Sequence, residues 1–167
     1  MRHAPIRVMA VCGTRPDAIK MAPVVRTLRE DPAFSVRLVA TGQHREMLDQ
    51  VLRLFALTPD EDLNIMTPHQ TLTEITLRTL EGLDRVMRAH PVDVVLAQGD
   101  TTTTFVAALC AFYHKTPFGH VEAGLRTYDL YHPFPEEMNR RLTAPIARFH
   151  FAPTERARQN LIQEHIP

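Results

Sequence analysis

The chain has 167 residues, 44% hydrophobic and 23% charged, which suits one soluble domain with a sizeable core. Nineteen basic side chains balance nineteen acidic ones at a pI near 7.1, so bulk charge gives no reason to expect a nucleic-acid or membrane partner. No apolar run approaches the roughly twenty residues of a membrane span, the N-terminus lacks a signal peptide's apolar core and cleavage site, and Cys12 and Cys110 lie in apolar runs as small buried hydrophobes, so a reduced cytoplasmic setting is expected.

In chain order, IRVMAVCG (Ile6–Gly13) is a short apolar run of the kind a doubly covered strand shows. RPDAIKMAPVVRTLRED then places Ile19, Ala22, Val25 and Leu28 at helical spacing, entered through Pro16 and bent by Pro23. Ser35–Thr41 reads as a second strand, and REMLDQVLRLFAL as an amphipathic helix with Met47, Val51, Leu54 and Phe55 on one side. TPDEDLNIMTPHQ is a loop with a short strand at Leu63–Met66. A long helix follows, with Leu72, Ile75, Leu80, Leu83 and Met87 as its stripe.

Val92–Gly99 is the clearest strand, and TTTTFVAALCAFYHK the helix after it, apolar nearly all round and therefore buried. PFGHVE is a strand. EEMNRRLTAPIAR starts a helix that Pro145 should end or kink, and FHFAPT with TERARQNLIQEH forms a last short strand and helix. Strands alternating with helices predict an α/β, Rossmann-like parallel sheet flanked by helices, with right-handed crossovers.

Ligands of such sheets sit beyond the carboxyl ends of the strands. The first strand ends in Gly13, Thr14 and Arg15, with Lys20 a turn into the helix. The second ends in Thr41, Gly42, Gln43, His44 and Arg45, the clearest strand in Gly99, Asp100 and four threonines, and the next in Glu122, Gly124, Arg126 and Thr127. After this last set, Pro133 and Pro135 deny regular pairing, and Glu136 and Glu137 open a helix, where acidic side chains are favoured.

Each feature has an ordinary structural explanation. Gly13 with Pro16 makes a turn into a helix, and Asp100 caps the next one. Glu136 and Glu137 are first-turn acids, and Arg140 and Arg141 pair with them on the surface for little energy. His44 and His120 have no second ligand at metal spacing, so they read as structural histidines and no metal site is expected. Arg15 and Lys20 tip the first loop toward an anion site, because free backbone N–H groups beside cations suit a phosphate. Arg15, Lys20, His44, Asp100, Glu122, Arg126 and Glu136 crowding one rim is the pattern of a site for an anionic substrate with acid–base chemistry.

The stretches GTRPDAIKMAPVV, TGQHREMLDQV, QGDTTTTF, GHVEAGLRT and PFPEEMNRR carry a further signal. In this order and at this spacing, the chain from about Ile6 onward resembles the bacterial non-hydrolysing UDP-N-acetylglucosamine 2-epimerases. The resemblance implies the N-terminal half of a GT-B-type fold, in which two Rossmann-like domains face each other across a cleft. Residues 1–167 would be the first domain. The second, with most of the UDP contacts and a catalytic histidine, would be absent from this chain, leaving this half with little activity alone.

The resemblance also implies interconversion of UDP-N-acetylglucosamine and UDP-N-acetylmannosamine by elimination of UDP through 2-acetamidoglucal and re-addition, with no cofactor. Asp100, Glu122 and Glu136 match the family's catalytic acids, with Asp100 and Glu136 expected to transfer protons and Glu122 to support them. Arg15, Lys20 and Arg126 are expected to bind substrate. Gln43 and His44 lie in a motif implying a second, activating UDP-N-acetylglucosamine. A homodimer is implied, with the UDP-sugar as the small-molecule partner. Glu46, His69, Tyr128, His132 and Pro145 depart from the family's usual residues, and none of these is one of the three acids. The alternatives are a non-catalytic nucleotide-sugar-binding or dimerisation module, or the N-lobe of a hydrolysing epimerase or a glycosyltransferase.

Overall fold

The computed structural model describes residues 4–42 and 45–166, without the side chains of residues 45–47. The strands are β1 (Ile6–Cys12), β2 (Phe34–Ala40), β3 (Glu61–Asp62), β4 (Val94–Gln98), β5 (Phe118–Val121) and β6 (Phe149–Phe151). Between and after them lie α1 (Arg15–Glu30), α2 (Arg45–Leu54), α3 (Leu72–Ala89), α4 (Thr102–Tyr113), α5 (Glu136–Ile146) and α6 (Glu155–Gln163). The strands form one parallel sheet in the order β3-β2-β1-β4-β5-β6. That order reverses direction between β1 and β4, which makes their carboxyl ends the crevice of the sheet.

Alternation along the strands divides the core into two layers. Val8, Ala10 and Cys12 of β1, with Leu38 and Ala40 of β2, face Ala18, Met21 and Val25 of α1 and Leu48, Val51 and Leu52 of α2. Met9, Val11, Val39, Val95 and Ala97 point the other way, against Leu83, Val86 and Met87 of α3 and Ala107, Cys110 and Ala111 of α4. Both cysteines are free and buried, as expected, and no helix among the described residues is long and apolar enough to cross a membrane.

Several local expectations change. The short strand pairs through Glu61 and Asp62, two residues before the apolar Leu63–Met66 stretch, because Val39 and Ala40 of β2 meet it there. Helix α2 stops at Leu54, which is 79% exposed rather than part of the buried stripe. Pro145 is the penultimate residue of α5, which ends one residue after it at Ile146, close to the end expected. A proline this near a C-terminus removes only one helical hydrogen bond.

Candidate active site

The β1–α1 turn is built around Asp17, at the third helical position. Asp17 is 3% exposed, and its Oδ2 accepts the backbone N–H groups of Gly13 at 3.2 Å and Thr14 at 3.1 Å. The amides expected to be free for a phosphate are therefore occupied by the protein's own carboxylate. Burial pushes the Asp17 carboxyl above its ordinary pKa, the hydrogen bonds at Thr14 and Gly13 oppose this, and Asp100 adds a repulsive charge. Gly13 is required by contact: a Cβ there would lie 2.5 Å from Thr103 Oγ1 and 2.7 Å from Thr41 Oγ1.

Across the crevice, β4 and β5 run in register from Val95 and Phe118 to Gln98 and Val121. Their next residues open the loops that carry Asp100 and Glu122. Gly99 turns the first loop at a φ of +81°, the left-handed region a glycine enters at no steric cost. Glu122 enters the same region at +66°, a conformation that costs a non-glycine residue about 1–3 kcal/mol and clusters at functional sites. Lys20 Nζ reaches both carboxylate oxygens of Glu122 at 2.6 Å, and Gln98 Nε2 donates to Oε2. His120, 1% exposed, donates from Nε2 to the Gly99 carbonyl at 2.7 Å and so is a structural histidine, as expected. Burial drops its pKa to about 4, keeping the ring neutral.

Helix α5 closes the far side. Arg140 Nη1 donates to Asp100 Oδ2 at 2.9 Å, and Asn139 Nδ2 to the Asp100 carbonyl at 2.9 Å. Glu136, one helical turn before Arg140, interacts electrostatically with Asp100, as does Glu122. Burial raises the Asp100 carboxyl above its ordinary pKa, Arg140 opposes the rise, and Glu136 and Glu122 reinforce it. The three acids thus lie close enough to interact, Asp100 and Glu122 just beyond adjacent strand ends and Glu136 at the start of α5.

The Glu137–Arg140 pair is not the surface pair the sequence implied. Glu137 is fully buried and Arg140 only 7% exposed. Glu137 accepts from the N–H groups of Thr127 at 3.0 Å and Tyr128 at 3.1 Å, and from Arg140 Nε at 2.7 Å. Burial alone would raise its pKa, but these bonds together outweigh burial and leave it below the usual value. Asp17, Gln98, Glu137, Asn139 and Arg140 are residues that sequence reading missed as parts of the site. An S/T-x-x-D signal at Thr14–Asp17 was there to find the first.

Arg15 is exposed on the first turn of α1, and Lys20 is half exposed at the crevice. Arg126 does not stand at the crevice as a free cation. Its guanidinium is buried in a two-bond pair with Glu164, at 2.9 and 2.7 Å, and ties the Glu122–Thr127 loop to the end of α6. Gln43 and His44 lie outside the described residues. A hollow of about 380 Å³ lined by Arg7, Arg37 and His90 lies at the opposite, amino end of the strands. The titratable cluster lies instead at the carboxyl end of the strands.

The family model for UDP-N-acetylglucosamine 2-epimerase covers residues 26–167. The chain belongs to the UDP-N-acetylglucosamine 2-epimerase family. The UDP-N-acetylglucosamine 2-epimerase of Yersinia pestis is 61% identical over 162 residues, covering 97% of this chain and 43% of that protein. The Escherichia coli K12 enzyme of the same name is 59% identical over 161 residues, or 96% and 43%. The crystal structure of the epimerase from Neisseria meningitidis bound to UDP-GlcNAc superposes with a TM-score of 0.94 at 55% identity, over 97% of this chain and 44% of that one. A complex of the Methanocaldococcus jannaschii epimerase with UDP-GlcNAc and UDP gives 0.91 at 36% identity, over 97% and 44%. The chain thus spans less than half the length of these epimerase relatives and corresponds to their N-terminal half.

Proposed function

We propose that this chain is the acid–base lobe of a two-lobed, GT-B-type UDP-N-acetylglucosamine 2-epimerase, a cytoplasmic homodimer in which a second lobe supplies most of the contacts to UDP. The observation that carries the reading is the gathering of Asp100, Glu122 and Glu136 close enough to interact, with Lys20 among them, in a chain of this family. The hydrogen at sugar C2 has no neighbouring carbonyl to make it acidic. Loss of that proton therefore has to accompany departure of UDP from C1, leaving 2-acetamidoglucal. Re-addition of UDP to C1, with a proton delivered to the opposite face of C2, gives UDP-N-acetylmannosamine. Two proton-transfer groups on opposite faces of one sugar carbon are what such a path requires.

In this reading Asp100 and Glu136 transfer the protons, Glu122 is held by Lys20 as their support, and Arg15 and Lys20 meet the substrate. Gln43 and His44 would border an activator site. Arg126 is better placed to hold the loop than to touch substrate. The full-length protein should interconvert the two UDP-sugars in D₂O with deuterium entering at C2, followed by proton NMR. Release of free N-acetylmannosamine would instead mark a hydrolysing enzyme, and Asp100→Asn at wild-type turnover would remove Asp100 from the chemistry.

A further inference from the structure

Two adjacent residues of α5 hold one residue of the β4–α4 loop. Arg140 bonds the side chain of Asp100, and Asn139 bonds its backbone carbonyl. Arg140 is itself fixed by Glu137, whose carboxylate also gathers the N–H groups of Thr127 and Tyr128. A buried ion pair is a poor source of stability, and apolar residues of similar volume often serve the fold as well. Nor does fixing the fold call for Arg140 to extend a third nitrogen beyond Glu137. That nitrogen lands on the carboxylate assigned to proton transfer.

We propose that Glu137 and Arg140 are positioning residues, a buried strut that sets the orientation of the Asp100 carboxylate and makes it one rigid unit with the Thr127–Tyr128 loop. The proposal rests on Asp100 being a proton-transfer group. Glu137 anchors the guanidinium by Nε, and Nη1 is thereby fixed in direction toward Asp100 Oδ2. A lysine keeps the charge, but its single nitrogen cannot reproduce both contacts with the same geometry. The strut also puts a positive charge in direct contact with Asp100. Among the described residues, Asp17 on α1, Glu122 after β5 and Glu136 on α5 also interact with Asp100, and each is acidic. Loss of the guanidinium therefore makes Asp100 harder to ionise, and any limb of the pH–rate profile that Asp100 sets moves to higher pH, whichever way its proton travels.

The test uses the full-length protein with UDP-N-acetylglucosamine. Asp100→Asn, folded by circular dichroism, judges the underlying reading on its own: loss of turnover supports it, and retained turnover ends both it and the strut's purpose. Given that loss, Arg140→Lys should lower kcat about 100-fold with little change in KM, the signature of misplaced catalytic geometry rather than lost binding. The double variant Glu137→Gln/Arg140→Gln removes both buried charges together, so that neither is stranded. It should fold and shift one limb of its residual kcat profile upward by about one pH unit or more. Folded variants with wild-type kcat and an unmoved profile would overturn the proposal. So would failure of Arg140→Lys and the double variant alike to fold, since the pair would then serve the fold itself.

Discussion

Replacing Asp17 by alanine removes the acceptor that satisfies the Gly13 and Thr14 N–H groups, in a turn where Gly13, Thr14 and Asp17 are all buried. Loss of a helix-cap acceptor costs about 1 kcal/mol, and a buried donor left unpaired about 1–3 kcal/mol. Release of a carboxylate from burial offsets part of this, so a net loss of about 2 kcal/mol is expected. For a chain of this size that lowers the melting temperature by roughly 4–8 °C. Asp17→Asn keeps an oxygen acceptor and removes the charge, and should lose much less. The pH dependence has a definite sign. Burial raises Asp17 above its ordinary value of 3.8, so its stabilising contribution is complete below pH 3.8 and is lost as pH rises through the folded-state value. The advantage of wild type over Asp17→Asn should therefore shrink as pH rises from 4 to 7. Thermal and urea unfolding by circular dichroism at several pH values would measure all three. Equal melting of Asp17→Ala and wild type, or a wild-type advantage that grows with pH, would refute the reasoning.

Other outcomes follow from the buried groups. His120, lowered to about 4 by burial, is neutral in the fold while its unfolded counterpart takes up a proton below about pH 6.5. Stability on the order of 3 kcal/mol should be lost as pH falls from 6.5 through 4, and His120→Gln should flatten that slope in acid-unfolding titrations. Burial pushes the Cys12 thiol up to about 12 and Cys110 to about 11. Neither should react with a thiol reagent at pH 8 until urea unfolds the chain, and rapid labelling of the native protein would contradict that.

The fold was legible because β1, β2, β4 and β5 are short, largely apolar runs flanked by glycine or proline, and a parallel sheet covered on both faces needs no finer pattern. The crevice was legible for a related reason. Once the strand ends are found, topology alone brings Asp100 and Glu122 together. What distinguishes residues of the same type was not legible. Glu136 and Glu137 are neighbours with the same propensity for a first turn, yet one remains partly exposed and the other is sealed under a loop. That difference depends on where Thr127 and Tyr128 fall, which no local pattern encodes. Arg126 likewise reads as a cation near the rim until its partner Glu164, 38 residues later, is seen. Tyr128 adopts a φ of +64°, and its hydroxyl donates to Asn160 Oδ1 at 3.1 Å. A single hydrogen bond of that kind is of the size needed to offset part of the strain.

The partners of the three acids argue for unequal roles. Both oxygens of Glu122 are engaged, by Lys20 and Gln98. Asp100 is held at Oδ2 by Arg140, and neither its Oδ1 nor the carboxylate of Glu136 has a hydrogen-bond partner among the described residues. A proton-transfer group needs an oxygen that can face the substrate, and a supporting group needs a fixed geometry; Asp100 and Glu136 meet the first requirement and Glu122 the second. Asp100→Asn and Glu136→Gln should therefore each lower kcat by about 100- to 10,000-fold, the usual range for a lost general acid or base. Glu122→Gln keeps an oxygen for Lys20 and should fall less. Deuterium incorporation at C2, measured alongside turnover, separates the two acids. Whichever one abstracts the proton should abolish exchange when replaced, and loss of only the redelivering one should leave glycal and UDP to accumulate. If Glu122→Gln proves the most damaging of the three while Asp100→Asn and Glu136→Gln still exchange C2 deuterium, the division of roles drawn from their partners is wrong.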